Sequence, residues 1–342
     1  MRVALDAMGG DAAPRVTVAG AVEAAGAGLP VTLVGQEAVL RAELARYPRA
    51  AGLPLEIVDA PEVVAMDEHP ASAVRRKPGS SIAVATRLVK DGQAGALYSA
   101  GNSGAVMAAA LFILGRLEGV HRPAIGAVVP LVQGRCLILD IGANADCEPH
   151  NLLQFAQLGS AYMERVYGLS RPRVGLVSNG EESTKGNALV LATQPLLQAS
   201  GLNFIGNVEG KDITAGAAEV VVCDGFTGNV ILKLAEGMQE LIFTLVRNTV
   251  KEKLHYQLAG AVLRPALRAA ARRLDYTEFG GAPLIGVRGA VFIGHGRSNA
   301  KAIANGIRTA AQAASGDLLA GLQASVSPVA APAGADGSAG AA

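Results

Sequence analysis

Five short apolar segments of this chain each run into a loop rich in Gly, Asn, Ser or Asp, and a helical pattern usually follows. The loops are DAMGGD (6–11), SAGNSG (99–104), DIGANAD (140–146), SNGEESTKGN (178–187) and DGFTGN (224–229). In an open α/β sheet, loops that leave the carboxyl ends of parallel strands converge on one crevice, where ligands bind. The repeated pattern therefore predicts an α/β protein whose loops form one binding site.

The order of the elements predicts a three-layer α/β/α sandwich with a largely parallel sheet, because strand patterns such as VTLV (31–34) and FIGNV (204–208) alternate with helical ones. No change of composition marks an internal boundary, so we expect a single domain over residues 1–324. Residues 325–342 are mostly Ala, Gly and Pro with almost no large apolar side chain. Such a segment cannot bury enough surface to order itself, and we expect a disordered tail.

Composition excludes several classes of protein. The 342 residues carry 30 Lys and Arg against 29 Asp and Glu, and aromatic residues make up 4% with no Trp, which argues against a nucleic-acid partner. The three cysteines form no CxxC pair, which argues against a disulfide scaffold or a structural zinc site. The longest apolar stretch, Ser103 to Gly115, is too short to span a bilayer, and the first residues do not resemble a signal peptide. We expect a cytoplasmic protein.

The first two loops are candidate anion sites. Glycine lets the backbone approach a ligand closely, and free amides at the start of a helix favour an anion. DAMGGD is interpreted either as an amide cradle for phosphate or as an ordinary turn, and it matches neither a dinucleotide fingerprint nor a P-loop. SAGNSG either offers Ser99, Asn102 and Ser103 to an anion or is a helix start capped by Asn102 or Ser103.

The later loops add a cation and amides. Lys185 in SNGEESTKGN is interpreted as a phosphate clamp or leaving-group stabiliser, or as a solvated surface lysine. Asn229 in DGFTGN either caps the following helix or polarises a carbonyl. The candidate substrate- or phosphate-binding residues of all five loops are Asp6, Gly9, Gly10, Asp11, Ser99, Gly101, Asn102, Ser103, Gly104, Asn144, Asn179, Gly180, Asp224 and Gly228.

The chain offers no obvious covalent nucleophile. No HExxH or GxSxG motif is present, and Cys223 lies in an apolar strand, which favours a buried and inert thiol. One reaction suits such a site, because a bound anion can itself attack an activated carbonyl. Proximity would favour that attack, and amide and Asn donors would stabilise the oxyanion.

Eight ordered motifs, which together cover residues 1 to about 320, resemble those of the bacterial phosphate acyltransferases of phospholipid synthesis. They are MRVALDAMGGD, AVRRKPGSS, SAGNSGA, LDIGANAD, SNGEESTKGN, NFIGNVEGKDI, VVCDGFTGNVILK and GGAPLIGV with the later HGRS. The resemblance implies transfer of an acyl group from acyl carrier protein to inorganic phosphate, giving an acyl phosphate that a glycerol-3-phosphate acyltransferase consumes.

The same resemblance implies further properties. The fold would be similar to those of isocitrate and isopropylmalate dehydrogenases and of phosphate acetyltransferases. The protein would be a homodimer without metal or organic cofactor, cytoplasmic and peripherally associated with the membrane. From the residues of the loops themselves, Lys185 is the best candidate for charge stabilisation and Asn229 for positioning the carbonyl or the phosphate. Asp6, Asn102, Asn144 and Asn179 are secondary candidates.

Acyl carrier proteins are acidic, so a basic surface is expected. Arg75, Arg76 and Lys77 form one cluster. A protruding basic amphipathic helical hairpin is predicted over about residues 233–276, in which Pro265 breaks or kinks the helix. Its surface residues are Leu254, Leu258, Val262, Arg264, Leu267, Arg268, Arg272 and Arg273. The hairpin is interpreted as a surface for anionic lipid or the carrier, or as helices packed on their own core or on a dimer partner.

Three other functions remain open from the sequence. A phosphate acetyltransferase acting on a coenzyme A thioester would share the chemistry. A dehydrogenase of the related fold would need a metal-binding acidic cluster and a dinucleotide site, for which Asp224 alone is too little. A membrane-recruited scaffold for lipid-synthesis enzymes would have no turnover.

Overall fold

The computed structural model describes residues 1–131, 134–274 and 280–326, with only the backbone for 268–274. Eleven strands lie within these residues. They are β1 (Val3–Asp6), β2 (Val31–Gly35), β3 (Leu55–Asp59), β4 (Ala96–Ser99), β5 (Ala124–Pro130), β6 (Arg135–Leu139), β7 (Val174–Val177), β8 (Phe204–Val208), β9 (Val220–Val222), β10 (Ala282–Ile285) and β11 (Ala290–Ile293).

All eleven strands join one sheet, in the order β3-β2-β1-β4-β11-β10-β5-β6-β9-β7-β8. Neighbours are parallel except for β11 with β10, β10 with β5, and β5 with β6, which confirms the prediction of a largely parallel sheet. Because three antiparallel pairings follow one another, the strands of the two halves run in opposite directions. The carboxyl ends of β1 and β4 therefore lie along one edge of the sheet, at one end of the strands, which we call the first edge. Those of β6, β9 and β7 lie along the opposite edge, at the other end of the strands, which we call the second edge.

Helices cover both faces of the sheet. They are α1 (Arg15–Gly26), α2 (Glu37–Leu44), α3 (Pro70–Arg76), α4 (Ser81–Lys90), α5 (Ser103–Ala109), α6 (Pro149–Tyr167), α7 (Ala188–Ala199), α8 (Gly210–Ala215), α9 (Gly225–Glu252), α10 (Leu254–Leu274), α11 (Ala300–Ser315) and α12 (Leu318–Ser325), and α5 continues as a π-helical segment, Ala110–Leu114.

Successive residues of a strand point to opposite faces, and this alternation builds two cores. On β1, Leu5 packs in one buried cluster with residues of α1 and α11. Its neighbour Ala4 packs in a second cluster with residues of α4 and α5. The predicted α/β/α layering follows from this arrangement.

Three elements differ from the sequence predictions. The sequence pattern predicts no helix for residues 60–78, but this region contains α3, which begins at Pro70, a residue that favours the first helical position. Helix α10 runs through Pro265, and the chain leaves helical geometry at Lys253 instead. At the predicted tail, Ser325 still ends α12 and Val326 is buried, and residues 327–342 lie outside the described residues.

The two longest helices expose many apolar side chains. On α10, the predicted surface residues Leu254, Leu258, Val262 and Leu267 are exposed by 73%, 64%, 80% and 46%. Helix α9 likewise exposes Leu234, Leu241 and Leu245, among others. These side chains do not pack on the core of their own chain. Among the described residues, no helix is both long and apolar enough to cross a bilayer.

Candidate active site

The five loops of the sequence pattern lie at two edges of the sheet. Asp6 and Ser99 are paired neighbours that end β1 and β4 at the first edge. Leu139 and Val222 are paired neighbours near the ends of β6 and β9 at the second edge, where β7 also ends. The five loops therefore do not share one edge, as the prediction of one crevice assumed, because the central antiparallel strands reverse the sheet.

The predicted site residues divide accordingly. At the first edge lie Asp6, Gly9, Gly10, Asp11, Ser99, Gly101, Asn102, Ser103 and Gly104. At the second edge lie Asn144, Asn179, Gly180, Lys185, Asp224, Gly228 and Asn229.

At the first edge, the polar side chains bind one another. Ser99 Oγ donates to Asp6 Oδ2 at 2.7 Å and accepts from the Gly101 N–H at 3.1 Å. A Cβ on Gly9 would lie 2.6 Å from Asp6 Oδ2 and 2.8 Å from Gly101 N, so glycine is required for the contact between the two loops. Burial raises the pKa of Asp6, against the hydrogen bonds from hydroxyl groups.

Asn102 is the N-cap of α5, which confirms one of its two interpretations. Its Oδ1 accepts from the Ala105 N–H at 3.1 Å. Its Nδ2 donates to the carbonyls of Met66 and Glu68 at 3.0 and 3.2 Å. The side chain thus fixes the helix start and the segment before α3, and both of its amide hydrogens are engaged.

At the second edge, the carboxylate of Asp140 organises the loop that follows β6. Oδ1 accepts from three backbone N–H groups at 2.9 to 3.2 Å, those of Ile125, Gly142 and Ala143. Oδ2 accepts from the backbone N–H and the side-chain amide of Asn144 at 2.7 and 2.9 Å. Asp140 is fully buried, and burial raises its pKa while these donors act in the opposite direction. Asn144 is therefore fixed by Asp140.

Helix α9 begins at Gly225, within the predicted loop DGFTGN, because Asp224 caps it. Asp224 Oδ1 accepts from the Thr227 N–H at 2.9 Å, and Oδ2 accepts from Thr227 Oγ1 at 2.7 Å. The interpretation of Asn229 as the cap is therefore wrong. Asn229 lies inside the first turns of α9 with an exposed side chain.

Two glycines bring the start of α9 against the Asp140 loop. The Gly225 N–H donates to the Asn144 carbonyl at 2.7 Å. A Cβ on Gly228 would lie 1.8 Å from the carbonyl oxygen of Asp140, a distance no side chain can adopt. The close approach places Asn229 beside Gly142, where an added Cβ would lie 3.9 Å from Asn229 Cβ.

The loop after β7 presents Lys185 to solvent. Its backbone is fixed by Asn207, whose Nδ2 donates to the carbonyls of Glu182 and Lys185 at 2.9 and 3.3 Å. The stem of Lys185 packs on Gly180, where an added Cβ would lie 2.8 Å from Lys185 Cγ. The ammonium group is therefore available at the second edge on a loop whose position does not depend on it.

A cavity of about 510 Å³ separates this loop from the start of α9. Asn179 and Asn187 line it on one side, and Asp224 and Thr227 on the other. It brings together two of the predicted residues, Asn179 and Asp224, from the loops of neighbouring strands.

A second cavity, of about 460 Å³, is the cleft that runs across the face of the central antiparallel strands. Aliphatic residues of the sheet form its floor, and Asn229, Leu232 and Lys233 of α9 form a wall. One end lies beside Gly142, at the second edge. The other lies beside Gly101 and Ser103, so the cleft connects the two edges.

The cysteines are not placed to act as nucleophiles. Cys223 is buried, as predicted, and burial together with Asp224 raises its pKa. Burial also raises the pKa of half-buried Cys147 to about 11 and that of Cys136 to about 12. All three sulfurs are therefore thiols at neutral pH.

Three carboxylates, those of Glu181, Glu209 and Asp212, lie close enough to share a cation. The ammonium group of Lys211 already pairs with Glu209 and, at 3.4 Å, with Glu181. The cluster thus has a cation of its own, and it lies on the surface rather than in either cavity.

The predicted basic surface is partly retained. Arg75 and Arg76 are exposed, and the Arg75 guanidinium lies 4.6 Å from the centre of the Phe112 ring. Lys77 is not part of that surface, because it forms a 2.5 Å ion pair with Glu68 and donates to the Val63 carbonyl. Arg264 is exposed, and the side chains of Arg268, Arg272 and Arg273 lie outside the described residues.

The sequence analysis missed three residues of these sites. Asp140 stands directly after a strand and before Gly142, a position at which Asp accepts backbone hydrogen bonds. Lys233 lies four residues after Asn229, the spacing that puts two side chains on one helix face. His295 lines the far end of the cleft and belongs to the HGRS motif, but it matches no ligand spacing.

Comparison with known proteins assigns the family. A family model described as "Fatty acid synthesis protein" matches residues 1–320. A protein of Pelotomaculum thermopropionicum named phosphate acyltransferase is 51% identical over 330 residues, 96% of each chain.

Two solved structures share the fold. One is the EutD phosphotransacetylase from Staphylococcus aureus, with a TM-score of 0.56, 18% identity, and coverage of 92% of this chain and 94% of that one. The other is a 4-hydroxythreonine-4-phosphate dehydrogenase from Klebsiella pneumoniae, with a TM-score of 0.58, 16% identity, and coverage of 92% and 98%. The family model and the Pelotomaculum thermopropionicum protein, unlike these two structures, match nearly the full length of this chain in sequence. This chain therefore belongs to the family of the bacterial phosphate acyltransferases.

Proposed function

We propose that the protein transfers an acyl group from acyl carrier protein to inorganic phosphate, giving acyl phosphate for phosphatidic acid and phospholipid synthesis. The observation that carries this proposal is the arrangement of Lys185 and Asn229 at the second edge of the sheet. There Lys185 follows β7 on a loop and Asn229 follows β9 in the first turns of α9, so the two residues come after strands that are neighbours in the sheet. Asn229 also lines an apolar cleft.

In the proposed reaction, a phosphate oxygen attacks the thioester carbonyl directly. The new C–O bond forms as the C–S bond breaks, and the sulfur leaves as a thiolate with the bonding electrons. The proton of the phosphate passes to solvent, and the thiolate takes one up. Asn229 would donate to the carbonyl oxygen as negative charge develops, and Lys185 would stabilise charge on the phosphate or the departing sulfur.

Direct attack has a specific test, which is thiol exchange without phosphate. An acyl-enzyme mechanism would move the acyl group from acyl carrier protein to isotope-labelled free carrier in the absence of phosphate. We expect no such exchange, because the described cysteines have raised pKa values and lie outside the apolar cleft. Exchange at a rate near turnover would contradict direct attack.

The carrier is proposed to dock near the second edge. Helix α3 starts at Pro70, against Gly104, and ends with Arg75 over Phe112, so its cations lie towards that edge. Arg116 and Arg288 are exposed there as well, and Arg288 Nε donates to the Arg116 carbonyl at 2.8 Å. This cationic surface would match an acidic carrier that delivers its thioester to Asn229.

We further propose a homodimer that works in the cytoplasm and associates peripherally with anionic membrane through the α9–α10 hairpin. The exposed leucines of α9 and α10 support this proposal, since a run of apolar side chains of this size normally has a partner. Arg264 and the cations near Lys251 would face anionic headgroups. A glycerol-3-phosphate acyltransferase would then consume the product beside the membrane. The overall fold would be of the isocitrate and isopropylmalate dehydrogenase type.

Leu258→Glu is expected to lower binding to phosphatidylglycerol vesicles about tenfold or more, because one fully buried Leu is worth roughly 1.5–3 kcal/mol. Leu191→Glu, on an exposed site of α7, should bind like the unmodified protein. Co-sedimentation measures binding, and light scattering checks that the oligomer is unchanged. Equal vesicle binding by both variants would refute membrane contact through α10.

A further inference from the structure

The floor of the cleft carries its smallest side chains near its middle. Leu284 of β10 pairs with Ile125 of β5, and continuing that antiparallel register sets Ala282 opposite Ala127. Both alanines line the cleft and are partly exposed. Ile125 and Val129 point to the same face as Ala127, because side chains alternate along a strand. Two small residues therefore face each other where larger ones lie on either side.

The cleft is aliphatic along its floor and has polar side chains at both ends. At the second edge it reaches Asn229 and Gly142, beside the proposed reaction centre. From there it follows β5 from Ile125 to Val129, about 13 Å at the rise of a β-strand. It ends at the first edge among Gly101, Ser103, His295 and Gly296. A ligand that fits has a reactive polar head at one end and a narrow apolar body.

We infer that this cleft binds the acyl chain of the substrate, with the thioester carbonyl beside Asn229 and the chain lying over Ala127 and Ala282. The two alanines then determine how long a chain the enzyme accepts. The inference rests on the proposed function for the identity of the head group. It gives the contact between the Gly9 and Gly101 loops a role, which is to close the far end of the cleft.

Ala282→Leu, and separately Ala127→Leu, would fill the cleft about 7 Å beyond Ile125, two residues along the strand. For dodecanoyl and hexadecanoyl carrier protein we expect kcat/KM to fall about tenfold or more, since each buried methylene contributes about fourfold. For hexanoyl carrier protein we expect little change. Ala42→Leu, on the exposed face of α2, is the matched control and should leave every chain length unchanged. An equal loss for all chain lengths in both cleft variants would overturn the inference.

Binding of alkyl phosphonates, measured by calorimetry, separates this inference from the proposed reaction and needs no turnover. The unmodified protein should bind dodecylphosphonate more tightly than hexylphosphonate, and Ala282→Leu should remove most of that difference. Val129→Ala is a second variant of the cleft that removes atoms and so cannot disturb the fold by overpacking. It should tighten or preserve dodecylphosphonate binding. If the chain-length effect appears in binding but no thioester is consumed, the proposed function fails and the cleft assignment stands. If the phosphonates bind without regard to chain length, the cleft assignment fails.

Discussion

Replacing Lys185 with Ala is expected to lower kcat/KM for acyl transfer to phosphate by about 10² to 10³, the usual effect of removing one group that stabilises charge in a transition state. The fold should be unaffected, because the Lys185 side chain is exposed and its backbone is fixed by Asn207. Stopped assays that follow loss of the acyl thioester measure the effect. Asn229→Ala should lower kcat/KM by a similar factor. In that variant the lost interaction is the hydrogen bond to the thioester carbonyl, not the stabilisation of charge on the phosphate or the sulfur.

Lys90→Ala is the control for this prediction, because Lys90 is an exposed lysine at the end of α4 that lines neither the 510 Å³ cavity nor the cleft. It should retain full activity. Turnover of Lys185→Ala within about twofold of the unmodified protein would remove Lys185 from the mechanism, since a charge-stabilising role requires a far larger loss.

Gly228→Ala should destabilise the protein by about 3 kcal/mol, the upper end of what overpacking usually costs. The added Cβ would lie 1.8 Å from the Asp140 carbonyl oxygen, which is backbone and cannot rotate away. The start of α9 must then move from the Asp140 loop and carry Asn229 with it. Because a displacement of about 1 Å can cost about 10²-fold in rate, we expect turnover to fall as well.

Gly237→Ala tests the same substitution on the same helix without the contact. Nothing lies within 4 Å of a Cβ at Gly237, so the helix should gain up to about 1 kcal/mol from the better propensity of Ala. Urea denaturation compares the two variants. Equal stability of the two would show that α9 does not depend on its approach to Asp140.

Local patterns predicted most of the strands and the layering. FIGNV is found as β8, and VTLV as most of β2, because alternation and apolar runs carry local information. The reversal of the sheet could not be predicted this way. It depends on the pairing of Ile125 with Leu284, residues far apart in the chain whose sequences contain no signal for each other.

The sequence predicted which loops and residue types form the candidate site better than it predicted what those residues contact. Gly225 and Gly228 suggested a loop on propensity, but Asp224 caps a helix there and the glycines are required by packing against another loop. Asn102 and Asn144 suggested ligand contacts. In the structure, both side chains instead form hydrogen bonds that fix their own loops. An amide side chain in a glycine-rich loop fits either role equally well until its partners are known.

The most direct test of the proposed reaction is phosphate-dependent consumption of acyl thioester by the purified protein, with acyl carrier protein and acyl coenzyme A assayed in parallel. The proposal predicts acyl phosphate as the product, formed mainly from the carrier-bound substrate and only when phosphate is present. A preference for the coenzyme A thioester would contradict the carrier assignment. No acyl phosphate from either substrate would contradict the function itself.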